Sequence, residues 1–301
     1  MLRLIFPLIF TFFLSCHAGT VLEKLAIMNG TLATQGQFPY QIQIQSSEDG
    51  SHVCGGSIIN KRYILTAAHC IYSEPDVDLS QLFPDYDIST FGAIKELFGL
   101  VAPSDIQILA GVNKLDDKNG ILYKVDKIIK HEHFTTDKFK NEVADIALIR
   151  LAEDIVFNDK IQPVRLASSE NQEDVLSVGA PVMITGWGYT RECKKNHEEE
   201  VNDLRVAIRT ISDFDECQFE YSEKRKNETD ESEKPPAIDS GMICSIGFQY
   251  SCMGDSGGPI VDGRGVQVGI VSFSKDSLPD VHTSVRFYSE WITNNSKIAE
   301  N

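Results

Sequence analysis

"CGGSIINKRYILTAAHC" fills residues 54–70. It opens on a cysteine and two glycines, passes through the strand-like run "SIIN" (57–60), and ends on His69 beside a second cysteine. A lone histidine next to a cysteine more often packs than reacts. What His69 means depends on what the rest of the chain supplies.

Outward from this stretch the chain keeps one pattern, short apolar runs broken by turn residues. "QIQIQ" (41–45) precedes it, and "IQILAGV" (106–112), "YKVDKIIKHE" (123–132) and "ADIALIRL" (144–151) follow. The second half adds "PVMITGWG" (181–188), "LRVAIRTI" (204–211), "VQVGIVSFS" (266–274) and "VHTSVRFY" (281–288). Many short strands with Gly and Asn turns predict an all-β sandwich or barrel. No internal repeat is obvious. Three segments depart from this pattern. They are the acidic 71–104, with a helical turn expected around "FGAIKELFGL" (91–100), and the charged 191–203 and 221–240. These read as solvated loops able to rim a cleft. The tail from Phe287 predicts a closing helix packed through Trp291 and Ile292.

With 301 residues, 42% of them hydrophobic, the chain can bury a core of one large domain or two smaller ones. Residues 1–18, "MLRLIFPLIFTFFLSCHA", carry a basic residue near the start, an apolar run too short to span a bilayer, and a small residue at the end. A signal peptide ending at Ala18 is expected, and with it a secreted, extracellular protein. Its removal takes Cys16 and leaves six cysteines, 54, 70, 193, 217, 244 and 252, an even number suited to disulfides in an oxidising compartment. Asn29, Asn227 and Asn294 head glycosylation sequons. A formal charge of −16 argues against nucleic acid and anionic membrane surfaces as partners.

A serine hydroxyl attacks an amide carbonyl poorly unless a base takes its proton, a carboxylate orients that base, and donors meet the oxyanion. Ser256 stands in "GDSGGP" (254–259), whose glycines let the backbone turn its N–H groups toward a bound carbonyl. His69 stands in "LTAAHC" (65–70), and Asp145 opens "DIALIRL" (145–151). Alone, the first reads as a glycine turn and the last as a strand-edge charge. Together, in the order His, Asp, Ser, they form one of the known triad orders.

From Ile27 to about Ile292 the chain resembles the trypsin/chymotrypsin family of serine endopeptidases, through "CGGSIINKRYILTAAHC", "ADIALIRL", "ITGWG", "CMGDSGGP" and "GIVSFS". The resemblance implies two antiparallel six-stranded β-barrels with the active site between them: a short propeptide at 19–26, then a protease domain over 27–301. Within it, 27–157 would form the first barrel with the loop 71–104 inserted, 172–286 the second, and 287–301 the closing helix. It makes His69 the general base, Asp145 its orienting partner and Ser256 the nucleophile, with the N–H groups of Gly254 and Ser256 as the oxyanion hole. Ser272 would begin the strand on which an extended substrate pairs, with Phe273 and Ser274 following.

The same resemblance implies a zymogen, in which a cut before Ile27 frees an amine that pairs with Asp255. Ala26 precedes the cut, so an activating protease that is not trypsin-like is expected, and a glycan on Asn29 would hinder insertion. Cys54 would pair with Cys70 and Cys217 with Cys244. For Cys193 and Cys252 the alternatives are a mutual bridge or two free thiols. A further bridge common in the family is missing, its positions matching Val182 and Asp262.

The position that selects the substrate side chain, six residues before the nucleophile, is Tyr250 rather than the aspartate of relatives that cut after Lys or Arg. Asp280 and His282 fall at further pocket positions, two apart on a strand and so pointing the same way. One reading has Tyr250, Asp280 and His282 satisfying one another at the base of a shallow pocket for small or medium apolar side chains; the other has Asp280 attracting a basic one. No cofactor is implied, and no metal: His131 and His133 alternate at a strand end without a third ligand. A monomer acting on protein or peptide substrates is expected. The rival is an inactive homologue that binds partners through its long acidic loops.

Overall fold

The alternation of Gln and Ile in residues 41–45 does not divide a dry face from a wet one. Ile42 and Ile44 are fully buried, and so in effect are Gln41, Gln43 and Gln45. The glutamines find partners inside the protein, as buried polar groups must. Gln41 Oε1 accepts from Thr185 Oγ at 2.6 Å, far along the chain, and Gln45 donates to Gln43 Oε1 at 2.9 Å. One face therefore fills a barrel, and on the other Gln41 reaches the second half of the molecule while Gln43 and Gln45 are satisfied within the first.

The computed structural model describes residues 30–72, 101–136, 142–188, 202–230, 234–249, 251–275 and 277–297. Its first six-stranded closed barrel comprises β1 (Gln41–Ser46), β2 (His52–Ile58), β3 (Tyr63–Thr66), β4 (Ile106–Ala110), β5 (Ile121–Lys130) and β6 (Ala147–Leu151), in the order β1-β2-β3-β6-β5-β4. A second contains β7 (Pro181–Gly186), β8 (Arg205–Ile211), β9 (Met242–Ile246), β10 (Pro259–Asp262), β11 (Val266–Phe273) and β12 (Asp280–Ser284). Its order is β7-β8-β9-β12-β11-β10, closed by β10 against β7. Strand for strand the two orders are the same, although no repeat is visible in the residues.

Two short strands cross the expected boundaries. Thr31–Leu32, from the first half, pairs with β8, and Arg165–Leu166 pairs in parallel with β11. Val182 and Asp262 lie directly opposite each other on β7 and β10, the positions matched to the missing disulfide. Asp262 instead accepts from the Arg264 side chain, which also approaches the buried Asp174.

The segment expected as a solvated loop over 221–240 begins inside a helix, α1 (Phe214–Asn227). Its signals lie upstream: Asp213 caps it by accepting from Glu216 N–H, Asp215 and Glu216 sit in the first turn, and Lys224, Arg225 and Lys226 in the last. Each complements the helix dipole or its unpaired N–H groups. Cys217 and Tyr221 are buried against the second barrel, and the Tyr221 hydroxyl donates to Pro279 O at 2.8 Å. Asn227 remains exposed.

The closing helix is present as α2 (Ser289–Asn295), with Ile292 buried. Trp291 packs on His131, ring centroids 5.0 Å apart, and Tyr288 does so at 5.1 Å. His131, just past the end of β5, is thus enclosed by two aromatic rings. It is buried, its Nδ1 accepts from His133 N–H, and burial lowers its pKa. Among the described residues no helix is long and apolar enough to cross a membrane. The helical turn expected at 91–100 and most of the loop 191–203 lie outside the described residues.

Candidate active site

His69 sits on a 3₁₀ turn, Ala68–Ile71, just past the end of β3. The Cys54–Cys70 disulfide, with an S–S distance of 2.08 Å, ties that turn to β2. His69 Nδ1 lies 2.8 Å from Asp145 Oδ2, and the His69 backbone N–H donates to Asp145 Oδ1 at 2.9 Å. Two contacts thus fix the ring relative to the carboxylate. The remaining capacity of Asp145 is filled from the second barrel: Ser272 Oγ donates to Oδ2 at 2.5 Å and Thr283 Oγ to the Asp145 carbonyl at 2.8 Å.

Asp145 is 2% exposed. Burial alone would raise its carboxyl pKa, but the charge of His69 and the hydrogen bonds from His69 and Ser272 outweigh it, leaving the group below the ordinary carboxylate value. Asp145 is therefore ionised at neutral pH. The residue before it, Ala144, is held at φ 51°. A residue with a Cβ adopts that conformation only at a cost of about 1–2 kcal/mol, which the packed surroundings must offset.

Ser256 lies in the turn between Cys252 and Gly258, and its carbonyl accepts from Gly55 N–H of β2 at 2.8 Å. Gly257 follows at φ 75°, and a Cβ there would strike Thr66 Oγ and Gly55 O and lie 3.1 Å from Cys70 Sγ. The serine turn is thereby pressed against the same strands and disulfide that carry His69, and only glycine allows the approach. Gly254, before it, has φ 97°. Its carbonyl lies 2.9 Å from Nε2 of His52, a residue that sequence reasoning passed over although it heads "HVCGG".

Asp255 is completely buried beneath this turn. Its carboxylate accepts from Gly188 N–H at 2.8 Å and Cys252 N–H at 2.9 Å. A Cβ at Gly186 or Gly188 would collide with that carboxylate, which explains both glycines of "ITGWG". Burial pushes the Asp255 carboxyl up to about 7 despite the two donors. Ile27 lies outside the described residues.

Beside the serine turn opens a cavity of about 920 Å³, lined in part by Arg209, Cys252, Met253, Ser274 and Asp280. Tyr250 lies outside the described residues. Asp280 and His282 do share a face of β12, but they do not satisfy each other. Asp280 Oδ2 accepts from Ser251 N–H (3.0 Å) and Ser251 Oγ (3.1 Å) and lies 3.3 Å from Arg209 Nη2. His282 Nε2 lies 2.7 Å from Ser245 Oγ. Burial, followed by the Arg209 charge, holds His282 well below its ordinary pKa, so it is neutral. Burial raises the Asp280 carboxyl, and Arg209 and Ser251 oppose the rise.

Arg209 is a second residue that sequence reasoning missed. Its signal was the alternation of "LRVAIRTI", which puts Arg205, Ala207, Arg209 and Ile211 on one face. Ser272 also differs from its expectation, since it stands near the end of β11 rather than at a strand's start. Phe273 follows it, half-buried against Tyr221, and Ser274 reaches the cavity.

Cys217 pairs with Cys244. Cys252 is disulfide-bonded to a partner outside the described residues, and Cys193 also lies outside them. The cluster Cys54, His69, Cys70 has the compactness of a metal site, but both sulfurs are joined in the disulfide and offer no thiolate.

The Trypsin family model matches residues 27–92 and 95–292. Trypsin-1 of Astacus astacus is 32% identical, aligned over 90% of this chain and its own whole length. Trypsin beta of Drosophila erecta is 31% identical over 92% of this chain and 94% of its own. Among solved structures, neuropsin, a serine protease of mouse brain, superposes with a TM-score of 0.66 at 24% identity, covering 90% of this chain and all of its own. Its likeness is one of fold. By sequence and architecture together, the chain belongs to the trypsin family of serine proteases.

Proposed function

We propose that the protein is a secreted serine endopeptidase, made as a zymogen with a signal peptide over 1–18 and a propeptide over 19–26. Ser256 Oγ attacks the substrate carbonyl carbon while His69 Nε2 takes its proton. The oxyanion formed meets the N–H groups of Gly254 and Ser256. As the tetrahedral intermediate collapses, the C–N bond breaks and His69 returns the proton to the leaving amine. Water then repeats the cycle on the acyl-enzyme, releasing the acid and restoring Ser256. Asp145 stays ionised throughout, holding the imidazole in one orientation and stabilising its cation.

The observation that carries this reading is the holding of the Asp145 carboxylate from both barrels, by His69 through ring and backbone and by Ser272, with Thr283 fixing the Asp145 backbone carbonyl beside it. Such support is costly to assemble around a buried carboxylate with no catalytic use. Among the described residues, the hydrogen-bond donors to Asp255 are the neutral backbone N–H groups of Gly188 and Cys252. The amine freed before Ile27, with a reference pKa of about 7.7–8.0, would give it a cation and order the oxyanion turn. Cleavage after Ala26 calls for an activator that is not trypsin-like. We further assign Cys193 as the partner of Cys252, and a monomeric enzyme of non-tryptic or broad specificity, a view supported by Tyr250 and by the pairing of Asp280 with Arg209.

The test is labelling by a fluorophosphonate after the purified chain has been cut before Ile27. Modification of Ser256, lost in Ser256→Ala and absent from the uncut chain, is expected. A folded, correctly cut protein that takes no label would instead be a binding homologue.

A further inference from the structure

On β8 the usual rule of burial is inverted. Ile208 points outward, 65% exposed, while its neighbour Arg209 points inward with only 2% of its side chain exposed. A strand that expels isoleucine to bury a guanidinium goes against local hydropathy, and such conflicts gather where function demands them. The guanidinium is held from several directions. Nε donates to Ser245 Oγ at 3.2 Å, Nη2 to Ser245 O at 2.7 Å, and Nη1 to Gln249 O. These acceptors flank Ile246 and Gly247, which line the same cavity as Arg209, so the cation is fixed from directly behind that wall. Ser245 also engages the neutral His282, which braces the arrangement from β12.

Asp280 faces this fixed cation at 3.3 Å, with Ser251 supplying its other two donors. We propose that Arg209 is a specificity-determining residue: as a built-in counter-ion to Asp280 in the cavity lining, it makes the enzyme reject Lys and Arg and accept uncharged side chains. A basic substrate group entering here would bring a second cation to a carboxylate already matched. Two cations would then share the one carboxylate that Arg209 already matches, and the Glu220 and Lys275 side chains, which also line the cavity, carry opposite charges and add no net attraction, a penalty that disfavours entry. An uncharged side chain disturbs no pairing and meets Met253 on the wall. The proposal rests on the reading that Ser256 acylates substrates held in this cavity, but the charge logic belongs to the cavity alone.

The experiment uses the activated chain and three variants, Arg209→Met, Asp280→Asn and the double variant. Each is titrated with fluorophosphonate to count competent sites, then assayed on peptide amides with Arg, Leu or Glu before the scissile bond. Arg209→Met is expected to raise the Arg-to-Leu ratio of kcat/KM roughly 100-fold, and Asp280→Asn to raise the Glu-to-Leu ratio about tenfold by leaving the guanidinium uncompensated. The double variant should return both ratios to near the parent values. Unchanged ratios in both labelled single variants would overturn the proposal, as would a parent enzyme that already prefers Arg. Should Arg209→Met fail to fold, the shift toward Glu in Asp280→Asn and its reversal in the double variant carry the test. If the parent takes no label, so that the catalytic reading fails, binding of benzamidine by thermal shift decides. Stabilisation of Arg209→Met but not of the parent supports the counter-ion, and equal responses refute it.

Discussion

The two barrels share one strand order but not one kind of interior. The first is filled by Ile42, Ile44, Ile58, Ile64, Leu65, Ile108, Leu148 and Ile149, each with no exposed surface. The second has its own apolar layer, including Ile184, Ile260 and Ile270, but it also buries Arg209, Asp280, His282 and Ser245. The first barrel is a rigid mount whose products, His69 and Asp145, emerge at its edge. The second puts polar and charged groups inside. Identical topology thus serves two tasks, and the difference lies in which inward positions are polar.

The sharpest way to break that division is at the carboxylate both barrels hold. Asp145→Asn keeps the shape but replaces an acceptor with an amide that cannot stabilise the imidazolium. The expected fall in kcat is about 10⁴-fold with the fold intact. Activity of titrated enzyme on a peptide amide, beside circular dichroism, measures both. A loss below tenfold would mean that His69 is positioned by its backbone and disulfide alone.

Next come the interiors themselves. Leu148→Ala removes a fully buried side chain from the apolar barrel and should cost about 2–5 kcal/mol by denaturant unfolding. Ser245→Ala in the polar barrel deletes a group engaged by both Arg209 and His282, with an expected cost of about 1–3 kcal/mol. The first change should lower stability more than the second, while the second should disturb substrate choice more. The reverse pattern would dissolve the distinction between mount and site.

A third prediction concerns pH. Asp255 has a folded pKa of about 7 against an ordinary 3.8, so between these values the folded chain binds the extra proton. Its contribution is therefore neutral below about pH 4 and increasingly destabilising as pH rises toward and past 7, by up to about 4 kcal/mol. The uncut chain should lose stability over that window relative to its Asp255→Asn variant. After the cut before Ile27 the difference should vanish, because the amine supplies the missing charge. Parallel stability curves for the uncut proteins would show that Asp255 has a cation already.

The apolar mount was legible in the sequence because its strands, such as "ADIALIRL", carry their burial in residue type. The approach of His69 to Asp145 was legible because the motifs that carry them have fixed neighbours, and the structure brings the two within 2.8 Å. Much of the second barrel was not. Arg209 is an ordinary strand cation until the register of β8 against β9 points it inward, and its pairing with Asp280 joins residues 71 positions apart. Nor could charge content tell a solvated loop from α1, since both are rich in Glu and Lys. Buried polar pairs are set by long-range geometry, which hydropathy does not record.

The smallest expected effect tests whether α1 is part of the second barrel's site or merely rests upon it. Asp213→Ala removes the cap that accepts from Glu216 N–H and should destabilise the protein by about 1 kcal/mol. Cys217 and Tyr221 lie within the helix and anchor it independently of its cap, through the disulfide to Cys244 and the hydrogen bond to Pro279 O. Substrate preference should therefore stay unchanged in Asp213→Ala but shift in Tyr221→Phe, which frees the carbonyl beside Asp280. A matching shift in both variants would mean that the whole helix, not its one buried hydroxyl, sets the position of β12.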